Sequence, residues 1–378
     1  MKTNPDEIKS TGKDSRLSEI EHKIKTIRRI LSEENCAGLR LSGADWFSWA
    51  TAGGSNVILL TTDGGVAEVL VTQDEAFVIT DAIEYDRMLD EEVTCGFRFI
   101  KHPWQNTNFR ETFIKEATHG GLVMSDSAQS RQGEVRLSPS LIQAKRILCP
   151  EEIQRYRILG REAAEAMTET LKQAEPSWTG HQLAGRGAEA LWKRGIHPAL
   201  TLVGEERRLP LHRHATASHE PLGSRAMLVF CARRHGLYAN LTRFVYFREP
   251  NAQEIRAKHD LAAIEAEVFA ATRPSTSLGA LYEQIAIAYA RFGYPDEIMK
   301  HHQGGPTGYL AREEVARPES KTRVEDGMAF AWNPSLTGTK IEDTVILNQG
   351  KLEIITVDEA FPTFYADDRM RPDYLVRL

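Results

Sequence analysis

The chain has 378 residues, which suits two domains better than a single compact core. Its composition is that of a globular protein, and a net charge of -6 without a basic stripe argues against a nucleic-acid partner. No apolar run reaches the roughly 18 residues that span a bilayer, and the polar first residues do not form a secretory signal, so no membrane partner is expected. Four widely spaced cysteines without a CxxC pair predict reduced thiols in a cytoplasmic protein.

The first part of the chain predicts an α/β domain over residues 16–145, preceded by a disordered arm over residues 1–15. Isoleucines recur on one face of a helix over residues 18–35. Short apolar runs then alternate with turn signals, and Asp63-Gly64-Gly65 predicts a hairpin turn. The predicted strands are CAGLRL, NVILLTT, GVAEVLV, EAFVIT, FRFIKH and GLVMSD, with a helix near residues 80–90.

Residues 146–378 predict an α+β domain, with helices packed on an antiparallel sheet. Pro-Glu-Glu at residues 150–152 is a helix start, because proline suits the first turn and acidic groups suit the positive end of the helix dipole. The predicted helices are 151–173, 179–195, 252–272 and 277–292. The apolar runs RAMLVFCA and LYANLTRFVYF predict a buried hairpin between the helices. A loop with Gly304, Gly305 and Gly308, a strand at MAFAWN and the segment TGTKIEDTVILN follow.

Four motifs in the second half resemble, in order and spacing, those of the creatinase, aminopeptidase P, prolidase and methionine aminopeptidase superfamily. The motifs are LHRHAT, GLYANLTRF, KHHQGGPTGY and GTKIEDTVIL. The resemblance implies a creatinase-type N-terminal α/β domain followed by a catalytic domain with the pita-bread fold. It also implies a homodimer, because two-domain members of the superfamily are homodimers in which the small domain approaches a neighbouring active site.

Metallopeptidases of this superfamily hold two divalent ions with two Asp, one His and two Glu. The resemblance matches these positions to Val229, Asn240, His302, Asn333 and Glu342, so three of the five lack the expected carboxylate. Two hard cations side by side require bridging anionic oxygens. We therefore expect no metal and no other cofactor. Bound Mn²⁺ or Zn²⁺ is expected only if the chain is a metallopeptidase after all.

His212 is the predicted proton carrier. It stands seventeen residues before Val229, the spacing at which the resemblance places the superfamily's proton-handling histidine. An imidazole titrates near neutral pH and can accept and return a proton. His302 is the second catalytic candidate and Tyr309, whose phenol could donate to an oxyanion, is the third. His214 ranks below His212, and Tyr309 has the alternative role of a core aromatic.

Five polar residues are predicted to bind the substrate: Glu342, Asn240, Thr242, Asn333 and Arg243. The resemblance to creatinase implies that Glu342 binds a positive group of the substrate, whereas Thr242 replaces creatinase's other substrate-binding glutamate and argues against creatine. A buried carboxylate requires a cation beside it. Arg243 or Lys340 could supply that cation from within the protein.

The sequence therefore predicts a metal-independent hydrolase that cleaves an amide or amidine-type C–N bond of a small polar molecule or short peptide. The alternatives are a metallopeptidase of Xaa-Pro aminopeptidase or prolidase type and a catalytically inactive ligand-binding protein. A lyase that uses the same histidine is a further alternative to the hydrolase. A contribution of the neighbouring subunit to the site is also left open by the sequence. We expect His212, His302 and Glu342 to meet in one cavity of the C-terminal domain.

Overall fold

The computed structural model describes residues 5–128, 131, 133–366 and 368–378, with the backbone alone for residues 5–14. The chain divides into two compact units, one ending at Glu152 and one running from Ile153 to Leu378. The expected boundary at 145/146 lies just before the helix in which the division falls. Within the described ranges, no helix is both long and apolar enough to cross a membrane.

The first unit has an α/β architecture. Its helices are α1 Pro5–Glu33, α2 Ala44–Ala50, α3 Tyr85–Arg87 with a following π-helical turn Met88–Glu92, α4 Phe109–Ala117 and α5 Pro139–Arg146. Its strands are β1 Gly38–Gly43, β2 Gly64–Thr72, β3 Ala76–Asp81, β4 Arg98–His102, β5 Val123–Ser125 and β6 Glu134–Arg136. The described strands form one sheet in the order β4-β3-β2-β1-β5-β6. β2 is antiparallel to both its neighbours, and the outer pairs are parallel.

The N-terminal arm differs from its prediction. Helix α1 begins at Pro5, so most of the stretch predicted as disordered is helical, and residues 1–4 lie outside the described residues. Proline suits this first position, since its missing N–H would have no partner there in any helix. The polar sequence lacks an apolar periodicity, which is why it gives no sequence signal for a helix.

The segment NVILLTT at residues 56–62 also differs from its prediction as a strand. It is a loop, and the Ile58, Leu59 and Leu60 side chains are exposed. β2, which follows this segment in the chain, pairs with β1 on one edge and with β3 on the other, so neither edge of β2 can receive a further strand. The hairpin of this sheet accordingly turns between β2 and β3, not at Asp63-Gly64-Gly65.

The second unit combines helices with antiparallel sheets. Its helices are α6 Pro150–Gln173, α7 Gly180–Trp192, α8 Ala252–Ala271 and α9 Leu278–Arg291. Its strands are β7 His197–Glu205, β8 Arg225–Arg234, β9 Leu237–Tyr246, β10 Gly304–Thr307, β11 Ala329–Trp332, β12 Ser335–Leu336, β13 Thr339–Lys340, β14 Asp343–Asn348, β15 Lys351–Ile354, β16 Thr363–Ala366, β17 Arg369–Pro372 and β18 Leu375–Val376. Over the described residues the two larger sheets have the orders β18-β9-β8-β7 and β10-β11-β14-β15.

The central hairpin β8–β9 joins these two sheets. A bridge between Thr242 and Glu342 links β9 to the chain just before β14. On the β10-β11-β14 sheet, a core that includes Phe330 and Trp332 packs against residues of α8 and α9 such as Ile264 and Ile285. The sheets therefore bring β9, β10, β11 and β14, which are far apart in the sequence, close together.

The predicted glycine-rich loop is partly a strand. Gly304 and Gly305 belong to β10, which pairs with β11. Gly304 has φ 101°, and a Cβ there would come within 2.0 Å of the Ala331 carbonyl oxygen. Only glycine lets the two backbones approach so closely.

Candidate functional site

The hairpin places four of the analysed residues on one face. Val229 lies opposite Thr242 and Cys231 lies opposite Asn240. Because side chains alternate along a strand, all four point to the same side. Val229, at the position matched to the first metal-binding Asp, packs in an apolar cluster with Leu202, Leu209, Met227, Phe244, Tyr246 and Tyr374. That position now contributes to the core and offers no ligand atom.

Glu342 lies at the centre of a buried ion cluster. Arg312 Nη2 donates to Glu342 Oε1 at 2.6 Å, and Lys340 Nζ lies 2.7 Å from Oε2. Thr242 Oγ1 also donates to Oε2, at 2.8 Å. Burial opposes ionisation, but the charges of Lys340 and Arg312 outweigh it and hold the pKa of Glu342 below its ordinary value. Of the two internal cations expected for Glu342, Lys340 is the one that pairs.

The two asparagines at former carboxylate positions are also buried. Asn240 Nδ2 donates to Thr307 Oγ1 at 3.1 Å, and the Asn333 backbone N–H donates to the Gln303 carbonyl at 3.0 Å. Each has a buried Oδ1 atom without a hydrogen-bond partner among the described residues. Such an atom is neutral and is a weaker ligand for a hard cation than a carboxylate oxygen.

Three histidines lie together just before the first residue of β10. The Nε2 atoms of His214 and His301 are 3.0 Å apart, and His301 Nδ1 lies 3.2 Å from Ser335 Oγ. The rings of His301 and His302 stack at 4.6 Å, and those of His214 and His302 are 5.7 Å apart. We call His214, His301 and His302 the imidazole triad. His301 is buried, whereas His214 is exposed to solvent.

The triad is uncharged at neutral pH. Burial, followed by the charge of Lys340, lowers the pKa of His301 to about 2. Burial, followed by the charge of Arg312, lowers the pKa of His302 to about 4. Partial burial, followed by the charge of Lys340, also lowers the pKa of His214. Neutral imidazoles keep a ring lone pair that can accept a proton or bind a metal ion.

His212 is not part of the triad, which corrects the expected convergence with His302 and Glu342. Its side chain is exposed, and in the described structure its backbone N–H donates to Arg208 while no ring contact joins it to His302. His214, two residues further on, occupies the expected place instead. The segment 211–217 has no regular secondary structure, so no periodicity in the sequence tells which histidine points inward.

Arg243 and Tyr309 are built into the protein interior. Arg243 Nη2 donates to Asp343 Oδ1 at 2.8 Å and to the Thr356 carbonyl at 2.7 Å. Its guanidinium therefore takes part in a structural ion pair. Tyr309 is completely buried, and its backbone N–H donates to Glu313 at 3.0 Å. The core alternative describes Tyr309 better than the role of an exposed donor.

Sequence reasoning missed Arg312. It lies in an irregular segment, thirty residues before Glu342 (342 − 312), and no motif includes it. One argument could have predicted it: a buried carboxylate without a metal ion needs more compensating positive charge than one lysine provides.

The metallopeptidase family M24 matches residues 154–349 of the chain. This match spans more than half of the sequence. The chain belongs to metallopeptidase family M24. The comparison with curated proteins found no significant match.

Several solved structures share the fold across most of the chain. An Xaa-Pro dipeptidase from Bacillus anthracis has a TM-score of 0.76 at 18% identity, covering 95% of this chain and 100% of its own. A prolidase from Pyrococcus horikoshii OT3 has a TM-score of 0.75 at 16% identity, covering 89% of this chain and 99% of its own. The N-terminal domain of FACT complex subunit SPT16 from Cicer arietinum (chickpea) has a TM-score of 0.69 at 12% identity, covering 90% and 96%. The predicted α/β domain and pita-bread domain are thereby confirmed.

The side chains of this M24 member do not fit a two-ion centre. The carboxylate of Glu342 is already bonded to two cations, and Val229 is enclosed by apolar side chains. In the described residues, two groups have the geometry to hold a single ion: the imidazole triad and the set Glu19, Cys149 and Glu152 in the first unit. Lys23 Nζ lies 2.7 Å from both glutamates of the second set and already supplies its positive charge.

Proposed function

We propose that the protein is a metal-independent hydrolase that cleaves an amide or amidine-type C–N bond of a small polar substrate or short peptide. Membership of family M24 supports hydrolysis in general. The observation that carries the metal-independent part is the ion cluster Lys340–Glu342–Arg312, in which two internal cations bond to the carboxylate that is left of the ligand set. The imidazole triad next to this cluster supplies the acid–base chemistry.

A hydrogen-bonded relay leads from the interior to the exposed triad member. It runs from Ser335 Oγ through both nitrogens of His301 to Nε2 of His214. In one tautomer His214 donates to His301 and His301 donates to Ser335, which leaves Nδ1 of His214 as a free acceptor. His301 then acts as a positioning residue, since it fixes the ring and the tautomer of His214.

This relay is suited to hydrolysis of a C–N bond. Water adds to the substrate carbon while Nδ1 of His214 accepts the water proton. The C–N bond then breaks, and the same proton passes to the departing nitrogen, which leaves as an amine. The positive field of Lys340 and Arg312 stabilises the negative oxygen that forms on the carbon. His214 thus takes the role that sequence reasoning assigned to His212.

The charge of the site defines the substrate further. Lys340, Arg312 and Glu342 together carry one net positive charge beside three neutral imidazoles. A substrate with a positive group near the reacting bond, as implied by the creatinase resemblance, would find Glu342 already neutralised. We therefore propose a neutral or anionic substrate, which favours an amide over an amidine, because amidines carry a positive charge at neutral pH. The substrate would contact the triad more than the buried Asn240, Thr242 and Asn333.

The test is a screen of small amides, amidines and dipeptides with the purified chain, with EDTA and with added Mn²⁺. We expect turnover of a neutral or anionic compound that survives EDTA. His214→Ala should lower kcat by at least about a hundredfold, the usual contribution of a positioned acid–base group. His212→Ala is the matched control, because it removes a second exposed histidine from the same loop.

Three outcomes would contradict this proposal. Turnover that appears only with added Mn²⁺ would favour the prolidase-type alternative. Loss of turnover in His212→Ala, with His214→Ala unaffected, would return the proton carrier to His212. Equal activity of both variants would remove the triad from the reaction.

A catalytically inactive ligand-binding protein is the second candidate. The observation that favours it is the burial of the inherited positions, since Asn240, Asn333 and Glu342 are at most 2% exposed. Binding of a compound from the same screen without any turnover, in the presence and absence of metal ions, would support it. The relay to solvent-exposed His214 is the reason for preferring the hydrolase, since a binding site has no need of one.

We also propose a cytoplasmic location and a homodimer. The four cysteines are free, as in a reducing compartment. The homodimer rests on the resemblance to two-domain superfamily members, and sedimentation of the purified chain tests it: a monomer at micromolar concentration would contradict it.

A further inference from the structure

The imidazole triad has the composition of a metal site that differs from a carboxylate-bridged pair. One ring nitrogen from each of His214, His301 and His302 lies within 4.8 Å of the others. The Nε2 atoms of His214 and His301 are already 3.0 Å apart. Nitrogens that share a tetrahedral zinc ion lie roughly 3.3 Å apart, given Zn–N bonds of about 2.0 Å. Small ring rotations would therefore bring all three onto one ion.

We propose that the imidazole triad binds a single Zn²⁺ ion and that this ion inhibits the enzyme. Zinc bound to Nε2 of His214 would keep that ring's proton on Nδ1, the nitrogen that must accept a proton during hydrolysis, so the inhibitory part rests on the proposed function. The binding part stands without it. The site uses His214 and His301, which match no ligand position of the two-ion centre, and it uses no carboxylate.

The surroundings of the triad favour an ion held by nitrogen. Ser335 Oγ holds Nδ1 of His301, which is the kind of outer contact that orients a metal-binding imidazole. Nδ1 of His302 is buried without a hydrogen-bond partner in the described part of the chain. His214 is exposed and gives the ion a path from solvent. Imidazole suits Zn²⁺, whereas Mn²⁺ prefers the carboxylates that are missing here.

The charges next to the triad provide a second test of whether zinc binds there. Lys340 and Arg312 outnumber Glu342 by one positive charge, which repels any divalent ion at the triad. Zinc must bind despite this repulsion through its bonds to nitrogen. Lys340→Met would remove one positive charge, and we expect it to tighten zinc binding by about tenfold. Adventitious binding to surface histidines elsewhere would not respond to Lys340.

The experiment is titration calorimetry of the full chain, stripped with EDTA and dialysed, with ZnCl₂ and separately with MnCl₂. We expect one Zn²⁺ per chain and no Mn²⁺ binding. His214→Ala should weaken zinc binding at least about tenfold, because one of three ligands is lost. His214 is exposed, so its replacement leaves the core intact. His212→Ala is the matched control and should bind zinc as the unchanged chain does.

Equal zinc affinity in His214→Ala and the unchanged chain, or no zinc binding at all, would overturn the site. Zinc that binds to the triad but leaves turnover unaltered would overturn the inhibitory role alone. Because calorimetry needs no substrate, a protein without measurable turnover would still decide whether the triad binds zinc. The failure of the proposed function and the failure of the zinc site are therefore distinguishable.

Discussion

The ion cluster and the imidazole triad are neighbours that treat their polar groups in opposite ways. In the cluster, both oxygens of Glu342 are bonded to cations and the group is almost completely buried. In the triad, one ring reaches solvent and another has a nitrogen without a hydrogen-bond partner among the residues that the structure describes. The comparison teaches that the inherited charged centre has become part of the structure and acts on the proposed reaction only through its electric field, while the capacity for proton transfer lies in the uncharged rings beside it.

The largest expected effect comes from breaking the ion cluster. Glu342→Leu would leave Lys340 and Arg312 buried without their carboxylate, and we expect a loss of about 3–5 kcal/mol in the free energy of unfolding. Denaturant unfolding measures it. Glu353→Leu is the matched control, since its pair with Arg157 is exposed and is expected to contribute less than about 1 kcal/mol. A loss in Glu342→Leu as small as in the control would mean that the cluster is not a structural element.

The free energy of unfolding, measured by denaturant unfolding as a function of pH, tests the triad. The pKa of His302 is about 4 in the folded chain and about 6.5 when unfolded. The unfolded chain therefore binds the proton first, so stability is full above pH 6.5 and falls as the pH drops towards 4. The loss from this group is at most about 3 kcal/mol.

The matched variant for this titration is Arg312→Met, because among the neighbouring charges Arg312 lowers the pKa of His302 the most. It should move the imidazole titration, followed by NMR, towards the ordinary value. The other charged or titratable groups that act on His302 are Glu342, His214 and Lys340. An unmoved titration would show that burial alone sets the pKa of this ring.

The ion cluster and the imidazole triad also differ in how much of each can be predicted from the sequence. The hairpin β8–β9 follows from its apolar runs and its turn, and the positions of Asn240, Asn333 and Glu342 follow from motif spacing. Arg312 and His214 do not, because both lie in irregular segments where neither period 2 nor period 3.6 indicates which way a side chain points. NVILLTT shows the converse limit: an apolar run forms a strand only where a sheet edge is free to receive it.

The smallest expected effect comes from the hydroxyl that links the hairpin to the ion cluster. Thr242→Val keeps the shape but removes the hydrogen bond to Glu342 Oε2. We expect a loss of about 1.5 kcal/mol in the free energy of unfolding, typical of a hydrogen bond to a charged group. Thermal unfolding at pH 7 measures it. No change would indicate that Lys340 and Arg312 satisfy the carboxylate on their own.

The most direct test of the account is the metal content of the chain purified without added ions, measured by mass spectrometry alongside turnover with and without EDTA. The account predicts no pair of divalent ions, at most one zinc ion per chain, and turnover that EDTA does not lower. Two tightly bound manganese or zinc ions per chain, whose removal abolishes turnover, would contradict it.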